Sequence, residues 1–170
     1  MLRLMRTGVV SWVLVVALVA GSPASLSAAF VTVPAVTFVP RGASAAGDVT
    51  LGFLANGGVA GTYYATVSLP VGQNVCGLRF WARDNDGDGN VTARLVRKQL
   101  QAGDGVGFGP PPEVMASVGT TGADADTQRR DDATIVNPMI VNTYNYWLEI
   151  EFEQGFVEAL AVRISTAPTC

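Results

Sequence analysis

Short runs in which apolar and polar residues alternate fill the chain from residue 30 onward. The runs are rich in Val, Ile, Thr and aromatic residues, and turns containing Pro or Gly, such as 70–72 and 86–89, separate them. A period of two residues is that of a β-strand with one buried face. About eight or nine such runs at regular spacing predict an all-β fold, an antiparallel, jelly-roll-like β-sandwich. The runs cover residues 30–39, 49–54, 62–69, 75–83, 91–98, 114–119, 127–136, 146–152 and 157–165.

The same alternation predicts which side chains face the core. The predicted inward set is Cys76, Leu78, Phe80, Ala82, Val91, Ala93, Leu95, Tyr146, Leu148, Ile150, Phe152, Leu160, Val162 and Ile164. The predicted outward set is Arg79, Trp81, Arg83, Trp147, Glu149 and Glu151. Two sheets that face each other through such residues bury enough apolar area to hold the fold together without a cofactor.

The composition restricts the chemistry available to the chain. The 170 residues include no histidine, which excludes Ser-His and Cys-His nucleophiles, histidine general bases and histidine-ligated zinc. Lysine and arginine total 11 against 14 acidic residues, and Lys98 is the single lysine. Because binding to nucleic acid phosphates requires a basic surface, a DNA or RNA partner is not expected.

Residues 1–29 have the layout of a cleaved secretory signal peptide. Two arginines precede an apolar stretch at 8–20, and small residues follow up to the expected cleavage before Phe30. The apolar stretch is shorter than the ~20 residues that span a bilayer, which disfavours the alternative, an N-terminal membrane anchor. The sequence therefore predicts one β-sandwich domain over 30–170, secreted or in the cell envelope, with no membrane span after cleavage.

The two cysteines, Cys76 and Cys170, both lie in the predicted exported part. Their spacing does not match a metal site, and exported proteins commonly oxidise such pairs. We therefore expect a disulfide between them. Two free thiols are the alternative.

Several short motifs resemble, in the same order, a widespread family of exported bacterial β-domains with no assigned activity. The motifs are an LP-x-G turn, a strand ending in Asp-Asn, a strand with Thr, Leu and Arg, the tetrapeptide MASV, a Y-x-Y-x-L strand and a closing strand. The matching positions are Leu69, Pro70, Gly72, Asp84, Asn85, Thr92, Leu95, Arg97, 115–118, Tyr144, Tyr146, Leu148, Val162 and Ile164. The resemblance implies a β-sandwich fold and export, and it implies no catalytic residue. The Asp-Gly repeat at 86–89 and the two cysteines depart from the family pattern.

The sharpest chemical motif is DNDGDGN, residues 84–90. Asp84, Asp86 and Asp88, followed by Gly89, reproduce the first half of an EF-hand calcium loop, in which alternate carboxylates ligate the ion. Asn90 adds an oxygen ligand, but the second half of the EF-hand pattern is missing. The alternative is a hairpin turn without metal, for which Asp, Asn and Gly are the expected residues.

Aromatic side chains suggest a ligand surface. Trp81 and Trp147 fall on strand faces that also carry charged residues, and such tryptophans suit stacking on sugar rings, together with Tyr63 or Tyr64. In the alternative interpretation the tryptophans cover one another on a single sheet. A ladder of ion pairs would then join Arg79 and Arg83 to Glu149 and Glu151. A protein interface uses the same residues.

The sequence thus predicts a non-catalytic exported β-sandwich that acts as a structural or interaction domain. A carbohydrate-binding module, assisted by calcium, is the alternative, and the partner is then an extracellular glycan instead of a protein. A glycan-active enzyme that uses carboxylates such as Asp131 or Glu149 is the third hypothesis. The oligomeric state is left open.

Overall fold

The computed structural model describes residues 28–42, 48–50, 52–55, 57–87, 89–100, 110–153 and 156–170. These residues form eleven β-strands and one short 3-10 helix, Ala35–Thr37, which confirms the all-β prediction. The strands are β1 (Ala29–Pro34), β2 (Val39–Pro40), β3 (Asp48–Thr50), β4 (Phe53–Ala55), β5 (Gly61–Thr66), β6 (Asn74–Asp84), β7 (Val91–Gln99), β8 (Glu113–Gly119), β9 (Asp124–Asp132), β10 (Tyr144–Phe152) and β11 (Val157–Ala167).

The strands form two sheets in which every pair described is antiparallel. Sheet A has the order β3-β4-β11-β6-β9, with β1 also paired to β11, and sheet B has the order β2-β5-β10-β7-β8. Four strands of sheet A, β4-β11-β6-β9, thus lie against β5-β10-β7-β8 of sheet B. This strand order is that of a jelly roll.

One hydrophobic cluster fills the space between the sheets. It draws on both layers, with Leu78 and Phe80 from β6 and Leu148 and Ile150 from β10 all at most 1% exposed. The predicted inward faces of β6, β7 and β10 are confirmed for Leu78, Phe80, Ala82, Val91, Ala93, Leu95, Tyr146, Leu148, Ile150 and Phe152, and those of β11 for Val162 and Ile164.

Two residues of the predicted core are not in it, because irregularities in the β6–β11 pairing interrupt the alternation. A register shift between Ala159 and Ala161 leaves Leu160 only half-buried while Ala159 takes the core position. A second shift, between Ser165 and Thr166, makes Cys76 an extra residue, so that Val75 points inward in its place. An extra residue in one strand reverses the faces of the residues beyond it.

The bulged residue Cys76 forms a disulfide with Cys170, and their Cα atoms lie 5.3 Å apart. The predicted pairing is confirmed. Two hydrogen bonds hold the same end of the chain: Asn74 Nδ2 donates to the Pro168 carbonyl at 2.7 Å, and Thr166 Oγ1 donates to Gln73 Oε1 at 2.8 Å. The segment after β11 is therefore tied to the start of β6.

Residues 1–27 of the predicted signal peptide lie outside the described residues. Over the ranges that the structure covers, no helix is long and apolar enough to cross a bilayer.

Candidate functional site

The two tryptophans lie on opposite outer surfaces of the sandwich. Trp81 belongs to β6 of sheet A and Trp147 to β10 of sheet B, and the residues next to them, Phe80 and Leu148, are fully buried between the sheets. The prediction that the tryptophans cover one another on a single sheet is therefore wrong.

The predicted ion pairs of Arg79 and Arg83 with Glu149 and Glu151 are wrong for the same reason. Each arginine pairs within its own sheet, because cross-strand neighbours are the residues that meet on one face. Arg79 pairs with Asp131 on β9, Arg83 with Glu158 on β11 at 3.0 Å, and Arg94 on β7 with Glu151.

The two tyrosines of β5 separate by face. Tyr63 is 2% exposed and packs edge-to-face against Phe152, with ring centroids 5.6 Å apart, and burial raises the pKa of its hydroxyl. Its ring is not accessible to a ligand, so the prediction that Tyr63 stacks on a sugar is wrong. Tyr64 points outward, lies directly across the ladder from Glu149, and has the Arg41 guanidinium 5.9 Å from its ring centroid.

Tyr64 and Trp147 are among the lining residues of a groove of about 1060 Å³, which core residues such as Leu69 and Ile140 also line. Thr66, the ladder partner of Trp147, lies beside them. The indole is fixed by a hydrogen bond, in which Trp147 Nε1 donates to Glu149 Oε1 at 2.8 Å. We name this space the sheet B groove. Its other polar lining residues include Thr37, Arg41, Lys98, Asn142 and Asn145.

The outer face beneath the indole is covered. Val96 lies directly opposite Trp147 in the β7–β10 ladder and is 2% exposed, yet it is not part of the cluster between the sheets. The side chains of the outer face therefore shield apolar surface beside the indole.

The Asp-rich loop is organised around Asp84, which is fully buried at the end of β6. Its Oδ2 accepts a hydrogen bond from Thr120 Oγ1 at 2.5 Å, and its Oδ1 accepts one from the Asp86 backbone N–H at 3.2 Å. Asn90 Nδ2 donates to Glu153 Oε2 at 3.2 Å. Asp88 lies outside the described residues.

Calcium binding by this loop stays a prediction. Among the described residues, no group of three or more acidic or cysteine side chains is arranged to hold a metal ion. Because Asp84 already uses both oxygens, its contacts favour the alternative interpretation, a hairpin turn stabilised by side-chain to backbone hydrogen bonds.

The carboxylates of the enzyme hypothesis are far apart in the fold. Asp131 lies on the outer face of sheet A, where its two oxygens accept hydrogen bonds from Arg79 and Arg129, and the Arg79 bond in particular lowers its pKa. Glu149 lies on sheet B and accepts the indole N–H of Trp147. The structure does not bring the two together.

Several residues that line the sheet B groove were not predicted from the sequence. The position of Asn145 could have been predicted, because a residue two positions before Trp147 lies on the same face of the strand. Arg41 and Asn142 come from segments distant in sequence, and no local pattern marks them. No protein-family model and no curated protein matches the chain.

Proposed function

We propose that this chain is an exported, non-catalytic jelly-roll domain that acts by binding, outside the cell or in its envelope. The observation that carries the proposal is the sheet B groove, with its indole fixed by a hydrogen bond to Glu149. Grooves of several hundred Å³ that combine aromatic surface with a few polar groups are typical ligand sites.

The contacts of the acidic side chains support a binding role over a catalytic one. A general acid or base needs a carboxylate that is free to exchange a proton with a substrate. In this fold Asp84, Asp131 and Glu113 have both oxygens in hydrogen bonds to other protein groups. Glu151 and Glu158 are held in ion pairs with arginines.

A carbohydrate-binding module is the candidate for the kind of binding, and the pair Tyr64 and Trp147 favours it. Aromatic rings on an exposed sheet face stack on the apolar faces of sugar rings, while amide and carboxylate groups bind the hydroxyls. Asn142, Asn145 and Glu149 offer such groups around the groove.

A binding screen of the full chain against neutral soluble and insoluble glycans tests this function. We expect saturable binding that Trp147→Ala and Tyr64→Ala each abolish. Tyr63→Phe, which changes the adjacent but buried ring, is the matched control and retains binding. Release of a soluble product from any glycan would contradict the non-catalytic role, and binding that survives Trp147→Ala would contradict the groove.

Export is tested separately. We expect the chain to accumulate outside the cytoplasm with Phe30 as its first residue, as determined by N-terminal sequencing. Retention of the intact leader would contradict the cleavage, and this result does not depend on the glycan screen.

A further inference from the structure

A second concave site lies on the outer face of sheet A, on the opposite side of the sandwich from the groove. This site, which we name the sheet A pit, has a volume of about 480 Å³. It is lined by Phe30, Gly77, Arg79, Asp131, Arg163 and Ser165, together with Cys76, Leu78, Asp132 and Ala133.

Small residues create the pit. Gly77 faces Ser165 across the β6–β11 ladder, and a Cβ atom on Gly77 would lie 3.1 Å from Ser165 Oγ. Phe30 on β1 pairs with Ser165 from the other side and is 64% exposed. An exposed aromatic ring therefore stands beside a hollow with no bulky side chain at its base.

Two arginines border the pit side by side. Arg79 and Arg163 are direct partners in the β6–β11 ladder, where like charges oppose each other unfavourably. Both guanidinium groups lie against the Trp81 indole, 5.8 and 5.0 Å from its ring centroid, and that of Arg163 also lies 5.6 Å from the ring of Phe30. The aromatic rings thus hold two cations together at one site.

The two arginines of the pit have donor groups that make no hydrogen bond within the described part of the protein. Arg163 uses Nε on Thr32 Oγ1 at 3.1 Å, and Arg79 uses Nε on Asp131. Among the residues that the structure describes, none accepts a hydrogen bond from the terminal guanidinium nitrogens of either arginine.

The acidic residues at the pit are already engaged. Both oxygens of Asp131 accept from Arg79 and Arg129. Asp132 accepts from the backbone N–H groups of Ser117 and Thr134, at 3.0 and 2.7 Å. Both carboxylates remain charged and are held in place by these bonds, and what the pit offers an anion is the pair of guanidinium groups with their free donors.

We propose that the sheet A pit binds an acidic saccharide. The guanidinium groups of Arg79 and Arg163 bind its anionic group, a carboxylate or a sulfate, and the ring of Phe30 stacks on the sugar. Arginine is suited to both anions because its planar fork donates two parallel hydrogen bonds. This inference does not rest on the sheet B groove, which binds its ligand on the other side of the molecule.

The test measures binding of the full chain to polygalacturonate, to dextran sulfate and to neutral dextran by affinity electrophoresis and calorimetry. The first two polymers distinguish a carboxylate from a sulfate ligand. We expect binding to at least one acidic polymer, weakened about tenfold or more by Arg163→Gln and by Phe30→Ala, since each removes a direct contact. Dextran is not bound at this site.

Arg94→Gln is the matched control, because it removes an outward arginine of sheet B that also pairs with a carboxylate. It retains binding of the acidic polymers. Phe30 is exposed, so Phe30→Ala tests the pit even where Arg163→Gln fails to fold. An equal loss in Arg94→Gln, full binding in Phe30→Ala, or no binding to either acidic polymer would overturn the proposal.

Discussion

Thr120 donates its hydroxyl hydrogen to the buried carboxylate of Asp84, and this hydrogen bond joins the two sheets at one end of the sandwich. The Oγ1 to Oδ2 distance is 2.5 Å, and the residues are 5% and 0% exposed. Thr120 Oγ1 also accepts from the Val91 backbone N–H at 3.1 Å. One hydroxyl thus connects the end of β6, the start of β7 and the residue after β8.

We expect Thr120→Val to lower the free energy of unfolding by about 2 kcal/mol or more. The isosteric change leaves one oxygen of Asp84 and the N–H of Val91 buried without a partner, and each such group costs about 1 to 3 kcal/mol. Urea unfolding followed by tryptophan fluorescence measures the change. Thr121→Val is the control at the exposed neighbouring position and shifts stability by about 0.5 kcal/mol at most. Equal effects of the two changes would contradict the role of Thr120.

Calcium is expected to leave the unfolding temperature of the chain unchanged within about 1 °C, because Asp84 is already engaged by Thr120 and the Asp86 backbone. The measurement compares thermal unfolding in millimolar calcium and in chelator. A ligand that binds the folded state tightly raises this temperature. A clear rise that Asp86→Asn removes would therefore establish the calcium site predicted from DNDGDGN.

Stability is expected to fall below about pH 5, in part through Glu113. Arg97 donates from Nε to Glu113 Oε2 at 2.8 Å, and this bond, with a further one from Asn137, holds the pKa of Glu113 below its ordinary value. A depressed pKa in the folded state stabilises the fold above the pKa of the unfolded chain, and this stabilisation is lost as the pH drops.

Unfolding of Glu113→Gln across this pH range checks the effect. The variant is less stable than the natural chain near neutral pH, and the difference closes as the pH falls. Glu153→Gln, which changes an exposed carboxylate elsewhere, is the control. A difference for Glu113→Gln that stays constant with pH would show that its carboxylate does not contribute through protonation.

The sequence predicted well which side chains point inward and poorly which strands pair with each other. Alternation placed Leu78 and Phe80 inward and Trp81 outward, because the direction of a side chain in a strand is a local property. Which sheet a strand joins depends on pairing between residues far apart in sequence, so the opposite locations of Trp81 and Trp147 had no local signal. The bulge near Leu160 also has no local sequence signal, because it arises from the register between β11 and β6.

The candidate site shows the same division. Adjacent residues in a strand point to opposite faces, so at most one of Tyr63 and Tyr64 was able to join a surface site. The packing of Phe152 on Tyr63 decides in favour of Tyr64. The sheet A pit had no local signal in the sequence. Phe30 lies near Arg163 only because β1 pairs with β11, and in that ladder the partner of Phe30 is Ser165, 135 residues later in the chain.

The disulfide is expected to contribute about 4 kcal/mol to the free energy of unfolding. Cys76 and Cys170 are 94 residues apart in sequence, and closing so long a loop restricts the unfolded chain strongly in the chain-entropy model. Urea unfolding of the oxidised chain, compared with Cys76→Ser and Cys170→Ser, measures the contribution. Because the hydrogen bond from Asn74 to the Pro168 carbonyl remains in both variants, we expect them to fold with the same strand pairing and a lower midpoint. A loss below about 1 kcal/mol would show that the segment after β11 is held by its hydrogen bonds and that the disulfide adds little.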